Sequence, residues 1–451
     1  MNLRGASEIL FALGRRYPRL PVAFLRAMPL GFLHALRAPG LRETFQTATR
    51  APWYRDAFAA ARIDVRRVRR PEDLGEFFLT PDVLKTRPEA LLTEAPELAI
   101  ESSGTSGHVT RIYLSRKELE YNARQGGLML GLYGLGRSDR LLSTLGLDWT
   151  LGSLLVERLV RYTPMFAMVV GRVDPVEAYA RLAEYRFNVI VSDPFWLARL
   201  TEVARERGRP GPLKLLIGGG EGITPRTRAE LEAFWEARVC MTYACTEAAT
   251  ILGFECTHRS GYHVNEFDFY VEIADPGTDG YGEIVVTTVS RRVMPLIRYR
   301  TGDVARWLPE PCACGLSFRR LSPLRGRVDE QASCAWGNLH PDFFEPLLRN
   351  VPGLGNDWQV ALYERDLMTV VQLRLELEGD ETARERAVQA VVSALQRARP
   401  DAWLAYRQRL IDFEVVFVAP GTLRTGRKLL RLVDERLTGS PAWIAQAARS
   451  G

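Results

Sequence analysis

Residues 102–107, Ser-Ser-Gly-Thr-Ser-Gly, place two glycines and four hydroxyl side chains in six positions. Glycine tolerates left-handed backbone and lets main-chain N–H groups approach an anion, while hydroxyls add rotatable donors. Such a loop can hold phosphate, and the apolar "ELAI" before it reads as the end of a strand that would present it. The Walker A loop is not an alternative, because it needs lysine after its last glycine and position 108 is His. The same composition also suits an ordinary turn, and the residues alone leave both readings open. A second cluster is "PCACG" at 311–315, where Cys312 and Cys314 are too close in sequence to pair readily but can share a metal ion. With Cys240, Cys245, Cys256 and Cys334 they complete the six cysteines. A disulfide framework is not expected in a large chain with no legible export signal.

Periodicity predicts the elements that must position these groups. From 100 to about 300, strand-like runs ("RLLSTLGL" at 140–147, "NVIVSDP" at 188–194, "LKLLIGGGE" at 213–221) alternate with helical patterns. The helical candidates are "PVEAYARLAEYR" and "TPRTRAELEAFWEAR", the second with Thr224 as cap and Pro225 in its first turn. That alternation argues an α/β domain with strands buried between helices. After 260 the pattern turns β-rich, with "DFYVEIAD" and "GEIVVTTV" separated by a turn. The last third holds two strands in "WQVALYERDLMTVVQLRLELEG", then an amphipathic helix with Val388, Val391, Val392 and Leu395 on one face, then a further strand in "IDFEVVFVAPG". The expected fold class is therefore α/β: a large multi-part N-terminal α/β domain with a β-rich segment, plus a small α+β C-terminal domain. The expected division is a basic helical extension over 1–39, the large domain over 40–328 and the small domain over 329–451.

Composition narrows the function classes. The 451 residues are 46% hydrophobic and 25% charged, with a net charge of +6. Arginine is spread along the chain without an accompanying RNA- or DNA-binding motif, so no nucleic-acid partner is expected. Apolar runs in the arginine-rich first forty residues are too short to span a bilayer, and helices packed on the main domain are the simpler reading; docking to a membrane surface is the other. The cytoplasm is the expected location, and a homodimer is left open.

Single motifs are weak signals, but their order is specific. "SSGTSG" (102–107) is followed by "GGGE" (218–221), "YACTE" (243–247), "IRYRTGD" (297–303), "GRVDE" (326–330) and "GRKLLRLVDER" (426–436). The series resembles the adenylate-forming superfamily of acyl-CoA synthetases, most closely its phenylacetate–CoA ligase-like branch. "APWYRDAF", "PEDLGEFFLTPDVLK", "FECTHRSGYHV" and "PLIRYRTGD" extend the likeness from about residue 40 to 436.

The resemblance implies a role for each motif. Ser102, Ser103, Gly104, Thr105, Ser106 and Gly107 would wrap the β- and γ-phosphates of ATP, with Gly219, Gly220 and Glu221 lining the nucleotide site. Tyr243 would stack on adenine, Thr246 would lie near the α-phosphate, and Glu247 would hold Mg²⁺. Asp303 would accept from the ribose hydroxyls, Arg327 would assist at ribose or phosphate, Asp329 would be the pivot of a mobile small domain, and Lys428 would be the catalytic lysine. Two positions depart from the family pattern: His108 stands where lysine is common, with Arg111 a substitute cation, and Arg427 stands where glycine is usual. Cys256, Cys312 and Cys314 with His263, or with His258, make an S₃N set of the kind structural zinc uses.

The implied reaction is attack of a carboxylate on the α-phosphate of Mg·ATP, giving an acyl adenylate and pyrophosphate, then acyl transfer to a thiol, with coenzyme A the expected acceptor. Trp149, Phe195 and Trp196 suggest an aryl or bulky acid, though each also suits a core. A deazaflavin coenzyme or an amine as acceptor, and a nucleotide-binding scaffold without catalysis, are the alternatives.

Overall fold

The computed structural model describes residues 19–436 apart from 102–109, 146–150, 221, 224, 290, 310, 325, 329–331, 340, 353, 355–356, 378, 420 and 424–430. Helices α1 (Arg19–Ala27), α2 (Leu30–Ala48), α3 (Pro52–Ala60) and α4 (Pro81–Thr86) precede a hairpin of β1 (Leu98–Glu101) and β2 (Arg111–Leu114). After α5 (Arg116–Leu132) comes strict alternation: β3 (Arg140–Ser143), α6 (Leu151–Leu159), β4 (Phe166–Val169), α7 (Pro175–Tyr185), β5 (Val189–Ser192), α8 (Pro194–Arg207), β6 (Leu215–Gly218), α9 (Pro225–Trp235) and β7 (Arg238–Cys245). The β-rich part holds β8 (Thr250–Glu255), β9 (Tyr262–Val264), β10 (Phe269–Ala274), β11 (Gly282–Thr288), β12 (Tyr299–Ala305), β13 (Trp307–Leu308), β14 (Arg320–Leu321) and β15 (Gly326–Arg327). The small domain contains β16 (Ala332–Cys334), β17 (Gly337–Leu339), α10 (Pro341–Leu348), β18 (Trp358–Arg365), β19 (Met368–Glu376), α11 (Glu381–Ala398), α12 (Pro400–Arg407), β20 (Asp412–Val418) and β21 (Leu432–Asp434).

A nine-stranded sheet in the order β13-β14-β9-β8-β7-β6-β5-β3-β4 forms the centre of the large domain. Its β3 to β7 half is parallel, and β8, β9, β14 and β13 continue it antiparallel. All four residues of β5 and of β6 are buried, as strands covered by helices on both faces must be. Local signals start the covering helices. Asp174 accepts the Val176 N–H at 2.7 Å ahead of Pro175, and Asp193 accepts the Trp196 N–H at 2.9 Å ahead of Pro194. A second, antiparallel sheet runs β10-β11-β12-β15, and the small domain has its own sheet, β20-β19-β18-β21.

The described part of the basic N-terminal segment is built into the large domain. Helix α2 runs unbroken through Pro39, where the extension was expected to end, and buries Leu33, Arg37, Leu41 and Phe45. Arg37 reaches the buried Glu266 at 2.5 Å, and Arg319 reaches the same carboxylate at 2.7 Å. Among the described residues no helix is long and apolar enough to cross a membrane.

Candidate active site and metal cluster

The carboxyl ends of β6 and β7 share one edge of the parallel sheet, the edge at which open α/β sheets bind ligands. Gly219 and Gly220 follow β6. A Cβ on Gly219 would stand 2.7 Å from Thr242 Oγ1, and Gly220 has φ +89°, so both positions call for glycine. Thr246 and Glu247 follow β7 in a turn closed by the Ala249 N–H donating to the Thr246 carbonyl at 3.0 Å.

Asp303 comes to this edge on β12 and pairs in register with Arg327 of β15. The Tyr243 hydroxyl donates to Asp303 Oδ2 at 2.7 Å, and both residues are buried. Burial first, and then the Asp303 charge, push the Tyr243 phenol well above its ordinary pKa, so it stays a neutral donor. Glu247 is held twice: Tyr299 of β12 donates to its Oε1 at 3.2 Å, and Arg291 Nη1 donates to its carbonyl at 2.6 Å. Burial lowers the Arg291 guanidinium to about 10, which leaves it charged at neutral pH.

Other expected participants stand elsewhere. The phosphate loop falls between β1 and β2, and its residues 102–107 with His108 lie outside the described residues, as do Glu221, Asp329, Arg427, Lys428 and the side chain of Arg327. Arg111, the substitute cation, donates across the β1–β2 ladder to Glu101 at 2.9 Å. Trp196 belongs to the core: it is fully buried, and its Nε1–H donates to the Val173 carbonyl at 2.8 Å. Trp149 and the side chain of Phe195 lie outside the described residues.

The sulfur groups converge behind this site. Cys256 follows β8, His263 is in β9, and Cys312 and Cys314 lie between β13 and β14. Their ligand atoms all lie within 4.8 Å of one another, and His258 is not among them. Cys256 Sγ is 3.5 Å from Cys312 Sγ, and Cys314 Sγ is 3.4 Å from His263 Nε2. His263 Nδ1 faces the Phe318 carbonyl at 3.3 Å; as donor there it leaves the Nε2 lone pair toward the sulfurs. A hydrogen bond from Cys314 is the first cause that holds the Cys256 thiol well below its ordinary pKa, with burial opposing it. Three sulfurs and one imidazole nitrogen fit a tetrahedral zinc ion with no position left for a substrate.

No protein-family profile matches the chain. Phenylacetate-coenzyme A ligase of Thermus thermophilus is 26% identical to it over 446 residues, which covers 91% of this chain and 98% of that protein. Among solved structures, 2-hydroxyisobutyryl-CoA ligase with 2-HIB-AMP and CoA in the thioesterification state overlays with a TM-score of 0.76 at 20% identity, covering 95% of this chain and 94% of that one. The same ligase in its postadenylation state with R3-HIB-AMP overlays at 0.65, with 19% identity and the same coverage. The chain is similar to phenylacetate–coenzyme A ligases along most of its length, and its fold is that of the acyl-CoA ligases of the adenylate-forming superfamily.

Two tethers at the site carry no motif signal of their own. Tyr299 stands inside "IRYRTGD", but its hold on Glu247 spans 52 residues and depends on how β12 meets the turn after β7. Arg291 has no motif signal; only its burial and its bond to Glu247 mark it.

Proposed function

We propose that this protein is an AMP-forming acid–thiol ligase that activates a carboxylic acid with ATP and passes the acyl group to coenzyme A. The observation that carries the reading is the arrangement of two carboxylates, Asp303 and Glu247, each held by a tyrosine hydroxyl, with the Glu247 turn at the carboxyl edge of the parallel sheet. Asp303 would accept the ribose hydroxyls as a charged acceptor, stronger than a neutral one. Glu247 would offer a hard oxygen ligand to Mg²⁺, whose charge neutralises the leaving pyrophosphate. Ser102 to Gly107 would cradle the β- and γ-phosphates while the acid attacks the α-phosphate, and Lys428 would approach the developing charge there.

Acyl transfer follows when the small domain turns about Asp329 and the thiol of coenzyme A displaces AMP from the acyl adenylate. Aromatic acids are the first class to test, in line with the named activity of the Thermus thermophilus relative. Cys256, His263, Cys312 and Cys314 would bind zinc as a structural ion bracing β8 and β9 against the β13–β14 connection. The deciding experiment is pyrophosphate–ATP exchange with a panel of acids, followed by addition of coenzyme A. Exchange dependent on one acid, with acyl-CoA and AMP formed in equal amounts, is expected. Nucleotide binding without exchange for any acid would defeat the reading.

A further inference from the structure

The small domain reaches the large one through the tip of its central hairpin. Strands β18 and β19 pair from Trp358↔Leu375 to Arg365↔Met368, and the two residues between them, Asp366 and Leu367, have φ +49° and +68°. Two successive left-handed residues make a tight hairpin turn that ordinarily favours Asn-Gly. Leucine in this region is conformationally costly, and it persists where the surroundings over-determine it. Leu367 is only 3% exposed although it stands at a hairpin tip, and the large-domain helix packed against β19 is α8. Beside it, Glu364 accepts a hydrogen bond from the hydroxyl of Thr227 in α9.

The receiving helix α9 is tied to the central sheet. Arg228, next to Thr227, makes two bonds to Glu255 of β8, at 2.8 and 3.0 Å. Glu255 also accepts the Met241 N–H of β7 at 2.8 Å, in the strand that carries Tyr243. The overlay with one ligase is better in its thioesterification arrangement than in its postadenylation arrangement at equal coverage, so the pose described here is nearer the first.

We propose that the tip Glu364–Leu367 docks on α8 and α9 to hold the small domain for acyl transfer, with Thr227 and Glu364 as positioning residues for that half-reaction alone. This rests on the two-step reading given under Proposed function. A hydroxyl–carboxylate bond between domains exists only while they are so arranged, so it stabilises that pose and contributes nothing to adenylation in another.

The test is a reversible lock on the full-length chain. Thr227→Cys with Glu364→Cys is bridged by a short bis-methanethiosulfonate reagent, which spans the length of the lost glutamate side chain and is cleaved by thiols, with each single variant as control, and cross-linking is read by mobility on a non-reducing gel. The expected product is a cross-linked protein with pyrophosphate exchange reduced at least about tenfold, still able to form thioester from a supplied acyl adenylate, and restored by dithiothreitol. Separately, Thr227→Val should slow transfer about tenfold or more, the scale of one lost bond to a charged acceptor, with exchange unchanged, and Thr227→Ser should recover it. A folded double variant that does not cross-link, or a cross-linked one that exchanges at full rate, overturns the proposal. So does an equal loss of both half-reactions in Thr227→Val. Efficient cross-linking in a background where the unsubstituted protein exchanges with no acid overturns the adenylation reading instead, and the assignment to transfer with it.

Discussion

The cysteine–histidine cluster and the carboxylate site are neighbours built on opposite plans. The rings of Tyr243 and Tyr262 are 6.1 Å apart, and Tyr262 directly precedes His263. In the cluster the four ligand atoms face one another within 4.8 Å. At the carboxylate site Asp303 and Glu247 each face a tyrosine hydroxyl, at 2.7 and 3.2 Å. A closed ligand set spends its donors on one ion and returns stability. A tethered carboxylate is oriented by a neutral donor, so its negative charge is not cancelled and remains to act on a ligand. Damage to the first should therefore appear in folding, and damage to the second in nucleotide affinity and rate.

The largest effect belongs to the cluster. Cys312→Ser should lower bound zinc from about one ion per chain to nearly none and cut the melting temperature by roughly 5–10 °C, because metal binding is coupled to folding. Elemental analysis that finds no transition metal in gently purified protein would remove the zinc and break the comparison. Next in size is Asp303→Ala, which should weaken ATP binding about 100-fold by deleting a charged acceptor for two hydroxyls. Zinc content should not change. Isothermal titration showing unaltered ATP affinity would mean that Asp303 serves only Tyr243. Glu247→Gln separates the two carboxylates, since it should keep most ATP affinity while lowering Mg²⁺-dependent exchange about tenfold or more.

These two sites were legible to different depths, for physical reasons. "PCACG" pointed to a candidate metal site because thiols one residue apart cannot readily close on each other, and the fold brings Cys256 to them. The choice of His263 over His258 was not legible: it follows from the pairing of His263 with Phe254 and Arg320, and from the Phe318 carbonyl that meets its Nδ1. Buried runs such as Val189–Ser192 and Leu215–Gly218 were readable as strands because both faces are covered. Trp196 shows the limit of composition. An indole in a loop-to-helix segment fits a pocket or a core equally well until a partner such as the Val173 carbonyl is known. Tyr243 shows the same limit from the other side, since the partner of its hydroxyl is 60 residues away on another sheet.

Tyr243→Phe is the smallest change and the sharpest test of the tether, because it removes one oxygen and keeps the ring. The affinity for ATP should fall about fivefold, the scale of one ordinary hydrogen bond acting on the ligand through Asp303, with zinc content unchanged. Its pH behaviour reports whether the hydroxyl is buried as a neutral donor. The folded phenol pKa is raised by burial first and by Asp303 second, above the ordinary phenol value of about 10. A raised folded pKa means that ionisation favours the unfolded chain, so this group's stabilisation is complete below about pH 10 and is lost as pH climbs toward the folded value. Other buried tyrosines carry the same trend in both proteins and cancel in the difference. The melting-temperature gap between the unsubstituted protein and Tyr243→Phe should therefore be constant from pH 7 to about 9.5 and narrow above about pH 10. A gap that stays constant to pH 11 would show that the Tyr243 hydroxyl is not buried as a neutral phenol in the folded protein, and so is not the donor to Asp303. Asp303 would then owe its orientation to its other contacts, the β12–β15 register among them.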